Sequence, residues 1–424
     1  MSFNKLTGAI LFALASQTVS ASGFGLIEHS ASGQGLSYAG AAANTEDASV
    51  MWFNPAGLTE IKGSQAIIGG HVISPSAKFS DEGSYALNNP LALTGGGGGD
   101  GATVGFVPSI YWKGEMAGYD VGLGINVPFG QHISYEDDWA GRFLATETNL
   151  KTININPAIA RKINDKLSFG FGLNAQYVDL VMSSKIDNRL GGQLGEGDAE
   201  LTADSWGFGW NAGLLYKVNE ATALGVAYRS TVTQNAKGKM DYSNFIPAGL
   251  IGDLVDADVS STVNLPASAS FSVTHAYNSK FQLLADATWT KWSDYKDLVV
   301  EFDDADSNQD DLNTQQDFKD SWRLSLGGIY QLNDDMKLRA GIAFDQTPVS
   351  NETHRSPRTP DSDRKWVSVG LGYKLSPSMD LDVGYTRIIA DKVDVNYSSD
   401  GANYLVGSYD ASVNVFSAQL VWKY

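Results

Sequence analysis

Apolar and polar residues alternate along much of this chain, with the period of two that places successive side chains on opposite faces of a β-strand. In Leu167–Val178 one face carries Leu, Phe, Ala and Tyr, and the other carries Ser, Gly, Asn and Gln. The same alternation recurs in Tyr119–Gly130, Trp206–Tyr216, Trp322–Leu332 and Met336–Phe344. The pattern predicts an all-β protein.

The composition of the two faces separates a transmembrane barrel from a soluble β-sandwich, whose strands also alternate. The faces opposite the apolar ones are rich in Gly, Ser and Asn, which suits a polar interior, and the apolar faces carry aromatic residues near their ends, as aromatic girdles do. We count fourteen candidate strands, and single-chain bacterial barrels have even numbers. They begin near Ser64, Thr103, Tyr119, Thr148, Leu167, Leu201, Thr222, Val263, Phe281, Phe318, Met336, Lys365, Met379 and Tyr404.

The connections between these strands are alternately short and long. The short ones lie at Lys113–Gly118, Asn164–Lys166, Asn219–Ala221, Asn278–Lys280, Asn333–Asp335 and Ser376–Ser378. The long ones lie at Asp81–Ala102, Gly130–Glu147, Ser184–Glu200, Met240–Thr262, Glu301–Asp317 and Thr347–Arg364. Short periplasmic turns alternating with long external loops are typical of bacterial outer-membrane barrels. We therefore predict an antiparallel transmembrane β-barrel of fourteen strands, ending at the aromatic Tyr424.

The first residues have the order of a secretory signal peptide. Lys5 is followed by an apolar run from Leu6 to Ala15 and by small residues up to Ala21. The run is too short to span a bilayer, which takes about 20 apolar residues. We expect residues 1–21 to be a signal peptide that is cleaved after Ala21.

Composition narrows the classes of function. The chain has 424 residues, of which 48 are acidic and 30 are Lys or Arg, for a net charge of −18. Nucleic acid is an unsuitable partner for such an acidic chain, because phosphate binding needs basic clusters. The chain has no cysteine, so disulfides do not stabilise it.

No group of residues predicts catalysis or a cofactor. The five histidines are scattered, without metal-ligand spacing or an H-E-x-x-H motif, and no G-x-S-x-G motif occurs. The glycine-rich run 95–101 lacks the Lys-Ser/Thr of a P-loop. The acidic stretch 303–311 lacks the glycine and the closing glutamate of an EF-hand, which leaves adventitious divalent cations as a minor option. We expect neither enzymatic activity nor a nucleotide, metal or energy-coupling cofactor.

One predicted external loop carries an apolar stripe at helical spacing. Its members are Phe245, Ile246, Leu250, Ile251, Leu254 and Val255. External loops face water, so the stripe needs a partner. The partner is either the neighbouring loops or an apolar ligand that lands in this groove.

The alternation also points two arginines into the barrel. Arg323 lies between the outward Trp322 and Leu324, and Arg339 lies between the outward Leu338 and Ala340. Inward cations of this kind join ion networks of the wall, for example with Asp286 and Asp345. The alternative is a direct contact with an anionic headgroup, because arginine pairs strongly with carboxylates.

Residues 22–62 precede the first strand and show no period of two. Within them, Asp47–Leu58 has a helical turn that ends before Pro55, with apolar residues unsuited to a periplasmic linker. A barrel of fourteen strands is wider than the roughly eight strands that side chains alone can fill. We therefore predict a small helical hatch, residues 22–62, that plugs the lumen of a barrel formed by residues 63–424.

The N-terminal segment Ser22–Thr59, with its Asn-Pro-Ala motif, resembles the hatch of the FadL family of outer-membrane transporters. The sequences VPFG (Val127–Gly130) and DDWAGRF (Asp137–Phe143) resemble the region after the third strand of that family. Gly341–Val349 and Pro360–Tyr373 resemble later strands. The similarity spans the chain after its first residues, and the hatch is its most specific part.

The resemblance implies the uptake of long-chain fatty acids or other hydrophobic compounds through a plugged barrel. The ligand would land in an external apolar groove, enter a pocket beside the N-terminus and leave sideways at a kink in the third strand. By position, Phe24 would touch the pocket. Asn54, Pro55 and Ala56 would lie by the lateral opening, and Pro128 and Gly130 near the upper end of the third strand.

Within this fold, a channel for aromatic or alkane hydrocarbons is the alternative to a fatty-acid transporter. An ion-paired pocket would favour fatty acids, and an all-apolar pocket would favour hydrocarbons. A general porin would need a charged constriction and no apolar hatch. We expect a monomer whose partners are hydrophobic small molecules, the lipids of the outer membrane and lipopolysaccharide.

Overall fold

The computed structural model describes residues 23–87, 95–188, 195–244, 254–303 and 309–424. Two short α-helices are present in these ranges, α1 (Ala31–Gln34) and α2 (Val50–Phe53), with 3-10 helices at Pro55–Glu60 and Trp292–Asp294. The strands are β1 (Gln65–Asp81), β2 (Tyr85–Ala86), β3 (Gly105–Met116), β4 (Tyr119–Asn126), β5 (Gly130–Ser134), β6 (Glu147–Lys162), β7 (Leu167–Asp187), β8 (Glu196–Lys217), β9 (Thr222–Arg229), β10 (Val232–Ser243), β11 (Ala257–Leu265), β12 (Ser268–Ala276), β13 (Phe281–Thr290), β14 (Asp297–Phe302), β15 (Leu312–Gln315), β16 (Ser321–Gln331), β17 (Met336–Asp345), β18 (Arg364–Ser376), β19 (Met379–Ala390), β20 (Val393–Tyr397) and β21 (Asn403–Lys423).

These strands form one closed antiparallel barrel of fourteen strands, as the alternation predicts. The ring closes where β1 pairs with β21, from Gln65 opposite Lys423 to Asp81 opposite Gly407. Five barrel strands are interrupted and consist of two successive segments, and the first such interruption separates β4 from β5. The short β2 and β15 add to the barrel at its long-loop end, against β21 and β14.

Side chains alternate between the two faces of the wall. In β7, Phe169 and Leu173 are 44% and 56% exposed, whereas the inward Asn174 is 3% exposed. The inward direction predicted for Arg323 is confirmed, because its neighbours Trp322 and Leu324 are about half exposed. An apolar exterior with a polar interior is the arrangement that a bilayer requires.

The predicted strand starts agree with the structure except at the long-loop end. The eighth barrel strand begins at Ala257, before the predicted Val263. Asp258, Ser260 and Ser261 extend it, and they interrupt the apolar alternation on which the prediction relies. Residues beyond the apolar band of a barrel have no need of an apolar outward face.

The N-terminal segment, residues 23–62, lies inside the ring, and its polar groups bond to strands on several sides. The bonds run from Ala31 N to Gln419 Oε1 (2.8 Å), between the Ser37 and Ser368 hydroxyls (2.6 Å), from Ala42 N to Ser272 Oγ (2.9 Å), from Asn54 Nδ2 to Leu214 O (2.9 Å) and from Thr59 Oγ1 to Ser168 Oγ (2.7 Å). Across the described ranges, no helix has the length and hydropathy needed to cross a membrane.

Candidate functional site: two cavities beside the N-terminal segment

The third barrel strand is interrupted between β4 and β5. The ladder between β3 and β4 ends with Ile110 opposite Ile125, and the chain then turns inward through Val127, Pro128 and Phe129. Pro128 has no N–H to donate to a ladder, which favours a break here. The displaced segment pairs instead with the N-terminal segment, with Leu26 N donating to Pro128 O (2.8 Å) and Gly130 N donating to Phe24 O (3.0 Å).

The outer cavity, of about 620 Å³, lies at the long-loop side of this break. This volume is within the roughly 300–1,000 Å³ of small-molecule sites. Its wall is mainly apolar and includes Phe24, Phe143, Leu144, Leu150, Val178, Leu180, Met182, Leu201, Met240, Leu254, Val259, Leu265, Leu298 and Val300. The cavity is therefore suited to an apolar chain.

Two cations line the outer cavity, Lys185 and Arg358. Lys185 has its own carboxylate, Asp198, at 2.5 Å. Among the described residues, Arg358 bonds to neutral acceptors: Nη1 donates to Glu147 O (2.6 Å) and Thr148 Oγ1 (2.9 Å), and Nη2 donates to Ser183 O (3.0 Å).

Arg358 is thus a cation without a counter-charge in the part of the chain that the structure describes. Burial lowers its pKa to about 10, and the nearby hydroxyls of Tyr397, Tyr135 and Tyr295 only partly offset this effect. A carboxylate entering the cavity would find an arginine that no acid of the described chain neutralises, and such charge-assisted bonds are among the strongest in proteins.

A group of aromatic rings separates the outer cavity from a smaller one. Phe24 lies at its centre, with ring centroids 4.8 Å from Trp292, 5.4 Å from Tyr295 and 5.9 Å from Phe129. Phe24 and Tyr295 face the outer cavity, whereas Phe129 and Trp292 face the smaller one. Phe24, for which the resemblance implies contact with a pocket, therefore lines the outer cavity. We name this aromatic group the partition.

The inner cavity, of about 160 Å³, lies between the N-terminal segment and the wall. Apolar groups dominate its lining, which also holds Arg229, Arg323, Asp286 and Asp345. Arg323 donates to the Ser37 carbonyl (2.5 Å) and lies 5.0 Å from the ring of Trp366. The structure thus brings the predicted Arg323 to a cavity, in contact with the N-terminal segment.

Arg339 lies outside both cavities, in an ion network at the short-turn end. Its Nε is 3.0 Å from Glu46 Oε2, its Nη1 is 2.8 Å from Asp382 Oδ1, and Lys337 is 2.5 Å from Glu46. Burial alone would raise the pKa of Glu46, but the charges of Arg339 and Lys337 outweigh it and lower that pKa well below its usual range. The network ties the N-terminal segment to the wall, and it offers no free cation to a ligand in either cavity.

The Asn-Pro-Ala motif packs on β7 and β8. Asn54 is fully buried, and its Nδ2 donates to Ala42 O (2.7 Å) and Leu214 O (2.9 Å) while its Oδ1 accepts from Ala56 N (3.0 Å). A Cβ at Gly213 would collide with Asn54, and one at Gly170 would collide with the Pro55–Ala56 backbone. The glycines of the inward faces therefore do more than suit a polar interior: they let this motif approach the wall.

Some predicted features fall outside the described residues. Phe245, Ile246, Leu250 and Ile251 of the apolar stripe lie in 245–253, whereas Leu254 and Val255 are described, with Leu254 at the outer cavity and Val255 exposed. The signal peptide lies in 1–22, and part of the acidic stretch lies in 304–308.

Arg358 and Arg229 have no acid partner among the described residues, and nothing in the sequence marks them for this property. The alternation points Arg229 inward, as it does Arg323, but only the structure shows which arginines have carboxylate partners.

Comparison with known proteins agrees with this geometry. Residues 12–424 match the family described as outer membrane protein transport protein (OMPP1/FadL/TodX). The chain is 31% identical to outer membrane protein P1 of Haemophilus influenzae, over 92% of this chain and 91% of that protein. It is 28% identical to the long-chain fatty acid transport protein of Escherichia coli, over 96% and 97%. A solved FadL homologue of Pseudomonas aeruginosa has a TM-score of 0.86 at 25% identity, over 95% of this chain and 99% of that one.

The resemblance of the N-terminal segment and the later strands is thereby confirmed over nearly the whole chain. The family consists of transport channels rather than enzymes, in agreement with the absence of a catalytic motif from the sequence. From its closed barrel, its interior cavities and its match over residues 12–424, the chain belongs to the FadL family of outer-membrane transport proteins.

Proposed function

We propose that this protein takes up long-chain fatty acids across the outer membrane. The observation that carries the proposal is the outer cavity, which combines a long apolar wall with Arg358, a cation that has no acid partner among the described residues. A fatty acid has the same two parts. The Escherichia coli relative that is named a long-chain fatty acid transport protein supports this choice.

The proposed route begins at an external apolar groove formed by Phe245, Ile246, Leu250, Ile251 and Leu254, and continues into the outer cavity. Residues 22–62 act as the hatch of a barrel formed by residues 63–424, after cleavage of the signal peptide 1–21. The ligand leaves sideways at the break between β4 and β5, near Pro128 and Gly130. The Asn54-Pro55-Ala56 motif holds the hatch against β7 and β8, and the protein acts as a monomer among the lipids and lipopolysaccharide of the membrane.

Burial of the acyl chain drives entry. Each buried methylene contributes about 0.8 kcal/mol, so a long chain prefers an apolar cavity to water without any energy-coupling cofactor. Release is then the difficult step, and a shift of the N-terminal segment between two arrangements would weaken the cavity.

The alternative is a channel for neutral hydrocarbons, which the apolar wall of the outer cavity would also accommodate. The two functions differ in what they require of Arg358. A hydrocarbon gains nothing from the guanidinium, whereas a carboxylate gains charge-assisted hydrogen bonds of about 1.5–3 kcal/mol.

The test is a calorimetric titration of the purified protein with oleate, with oleyl alcohol as a neutral chain of equal length, and with toluene. We expect oleate to bind most tightly, and Arg358→Gln to weaken oleate about 10–100-fold while leaving oleyl alcohol unchanged. Lys185→Gln is the matched control, because Lys185 lines the same cavity but already has Asp198. Toluene binding that exceeds oleate binding in the wild type and in Arg358→Gln would establish the hydrocarbon channel. If none of the three ligands binds to the wild type, transport of both classes of compound is refuted.

A further inference from the structure

We infer that the inner cavity is a second binding site for the anionic headgroup, in which Arg229 receives a carboxylate after it has passed the partition. This inference rests on the proposed function, because it assumes an amphiphile with an anionic head. It adds a site on the far side of Phe24 and a residue that neither the sequence motifs nor the outer cavity includes.

Arg229 lies at the end of β9, where the seventh barrel strand is interrupted, and it lines the inner cavity. Its Nη1 donates to Asn174 Oδ1 (2.5 Å) and its Nη2 donates to the Trp52 carbonyl (2.6 Å). The guanidinium carbon is 3.4 Å from the centroid of the Trp52 ring. All of these partners are neutral.

The absence of an acid distinguishes Arg229 from Arg339 and Arg364, two inward arginines that form salt bridges, and from Arg323, on which the charges of Asp345 and Asp286 act. Arg339 pairs with Glu46 and Asp382, and Arg364 pairs with Asp345 and Asp361. In the described ranges, no salt bridge reaches Arg229. A cation removed from water is costly without a counter-charge, and a bound carboxylate would supply one.

The size of the inner cavity fits the head of an amphiphile rather than the whole molecule. Its volume of about 160 Å³ is far below that of the outer cavity. Leu26, Phe129 and Val232 provide apolar surface beside the guanidinium. Asp286 and Asp345 also line the inner cavity, and the charge of Arg323 acts on both of them. Leu265 lines both cavities, so the two are neighbours across the partition, and a chain lying past Phe24 would place its head at Arg229 and its tail in the outer cavity.

Occupation of this site would also act on the N-terminal segment. The Trp52 carbonyl belongs to the last turn of α2, immediately before Asn54-Pro55-Ala56. An arriving carboxylate competes with this carbonyl for the guanidinium, because a charged acceptor forms the stronger bond. The headgroup would therefore loosen α2 from the wall at the moment when release is required.

The probe is 2-bromohexadecanoic acid, in which the bromine lies beside the carboxyl group. Crystals of the full-length mature protein, soaked with this acid, are expected to show anomalous bromine signal at two places, near Arg358 and near Arg229. In solution, the bromine should quench the fluorescence of Trp52, so the quenching in the wild-type protein should exceed that in Trp52→Phe.

Variants separate the two sites. Arg229→Gln should remove the quenching assigned to Trp52 and weaken binding about tenfold at most, while Arg358→Gln should reduce outer-cavity binding. Arg229→Lys, which keeps the charge, should restore part of the Trp52 quenching, whereas a merely structural role for the guanidinium fork predicts no rescue.

Two outcomes overturn the inference in different ways. Bromine confined to the outer cavity, with quenching equal in the wild type and in Trp52→Phe, refutes the second site and leaves the proposed function intact. No binding of 2-bromohexadecanoic acid to the wild-type protein refutes both.

Discussion

The two ends of the N-terminal segment are attached to the barrel by different kinds of contact. The arm, residues 23–29, pairs with Pro128 and Gly130 through backbone hydrogen bonds, and its Phe24 ring packs against Trp292. The anchor, residues 31–62, uses side chains: Glu46 in an ion network and Asn54 in three buried hydrogen bonds.

This difference indicates which part can move. The arm contacts a wall segment that has already left its ladder, and its backbone bonds do not depend on which side chains it carries. The anchor holds specific charged and amide groups whose loss would leave buried polar atoms unpaired, which costs about 1–3 kcal/mol for each. We therefore expect the arm to yield to ligand first. Within the anchor, the bond between Arg229 and the Trp52 carbonyl is the one that a ligand headgroup would release, while Glu46 and Asn54 keep the segment in the barrel.

Among the variants that test the contrast between arm and anchor, the one that breaks the Glu46 ion network should have the largest effect. Glu46→Gln removes the carboxylate that Arg339 and Lys337 share, and we expect the anchor to lose about 3 kcal/mol of local stability. Hydrogen exchange of residues 31–62 in the detergent-purified protein measures this loss.

Glu60→Gln is the matched control, since Glu60 pairs with Lys162 and Lys217, whose side chains are about half exposed. Exposed pairs are worth about 1 kcal/mol or less. Equal losses in the two variants would mean that the Glu46 network does not anchor the segment.

The second largest effect is expected for the Asn-Pro-Ala motif. Asn54→Ala removes the bonds to Ala42, Leu214 and Ala56, and we expect a local loss of about 2 kcal/mol together with altered fatty-acid uptake. The folded barrel should persist, as measured by its heat-modifiable migration in gel electrophoresis.

Asn44→Ala provides the comparison within the same segment, because Asn44 makes only a long side-chain bond to Glu46 (3.4 Å). If Asn54→Ala abolished barrel assembly, the motif would be structural, and the assignment of a role in opening would be wrong.

The smallest expected effect is a loosening of the arm at low pH. His29 is fully buried, its ring 4.4 Å from that of Trp52, and Arg229 and His71 face it. Burial, with these two neighbours, holds the pKa of His29 well below its usual 6.5. The folded state thus favours neutral His29, so its contribution is present above pH 6.5 and declines as the pH falls below that value.

Acidification from pH 7.5 to 5.5 should therefore loosen the arm by about 1 kcal/mol, one pKa unit being worth about 1.4 kcal/mol. Glu28 acts in the opposite direction, since burial raises its pKa. Comparison of the wild type with His29→Gln by hydrogen exchange of residues 23–29 isolates the histidine. If hydrogen exchange of the arm depends on pH in the same way in the wild type and in His29→Gln, His29 is excluded as the source of the loosening.

Much of the barrel could be predicted from local patterns. The alternation in Leu167–Val178 and around Arg323 depends on the two-residue period of a strand and on the contrast between lipid and a polar lumen, and both are local properties. The eighth strand is longer than the alternation predicts, because Asp258 and Ser260 interrupt its apolar face.

The candidate site was less predictable. Phe24, Asn54 and Pro128 could be singled out because the N-terminal motif resembles a known family, not because their spacing implies a cavity. Arg323 and Arg339 look equivalent in the sequence, yet the first lines the inner cavity and the second is bound to Glu46 and Asp382.

The sequence by itself determined the number of strands, the direction of their side chains and the presence of a segment that cannot join the wall, because each follows from residues adjacent in the chain. The tertiary structure alone decided which charges are paired. Which residues surround Arg358 and Arg229, and the absence of an acid among the described ones, depend on strands and loops far away in sequence. The free energy of a buried charge depends on those neighbours rather than on its own place in the chain.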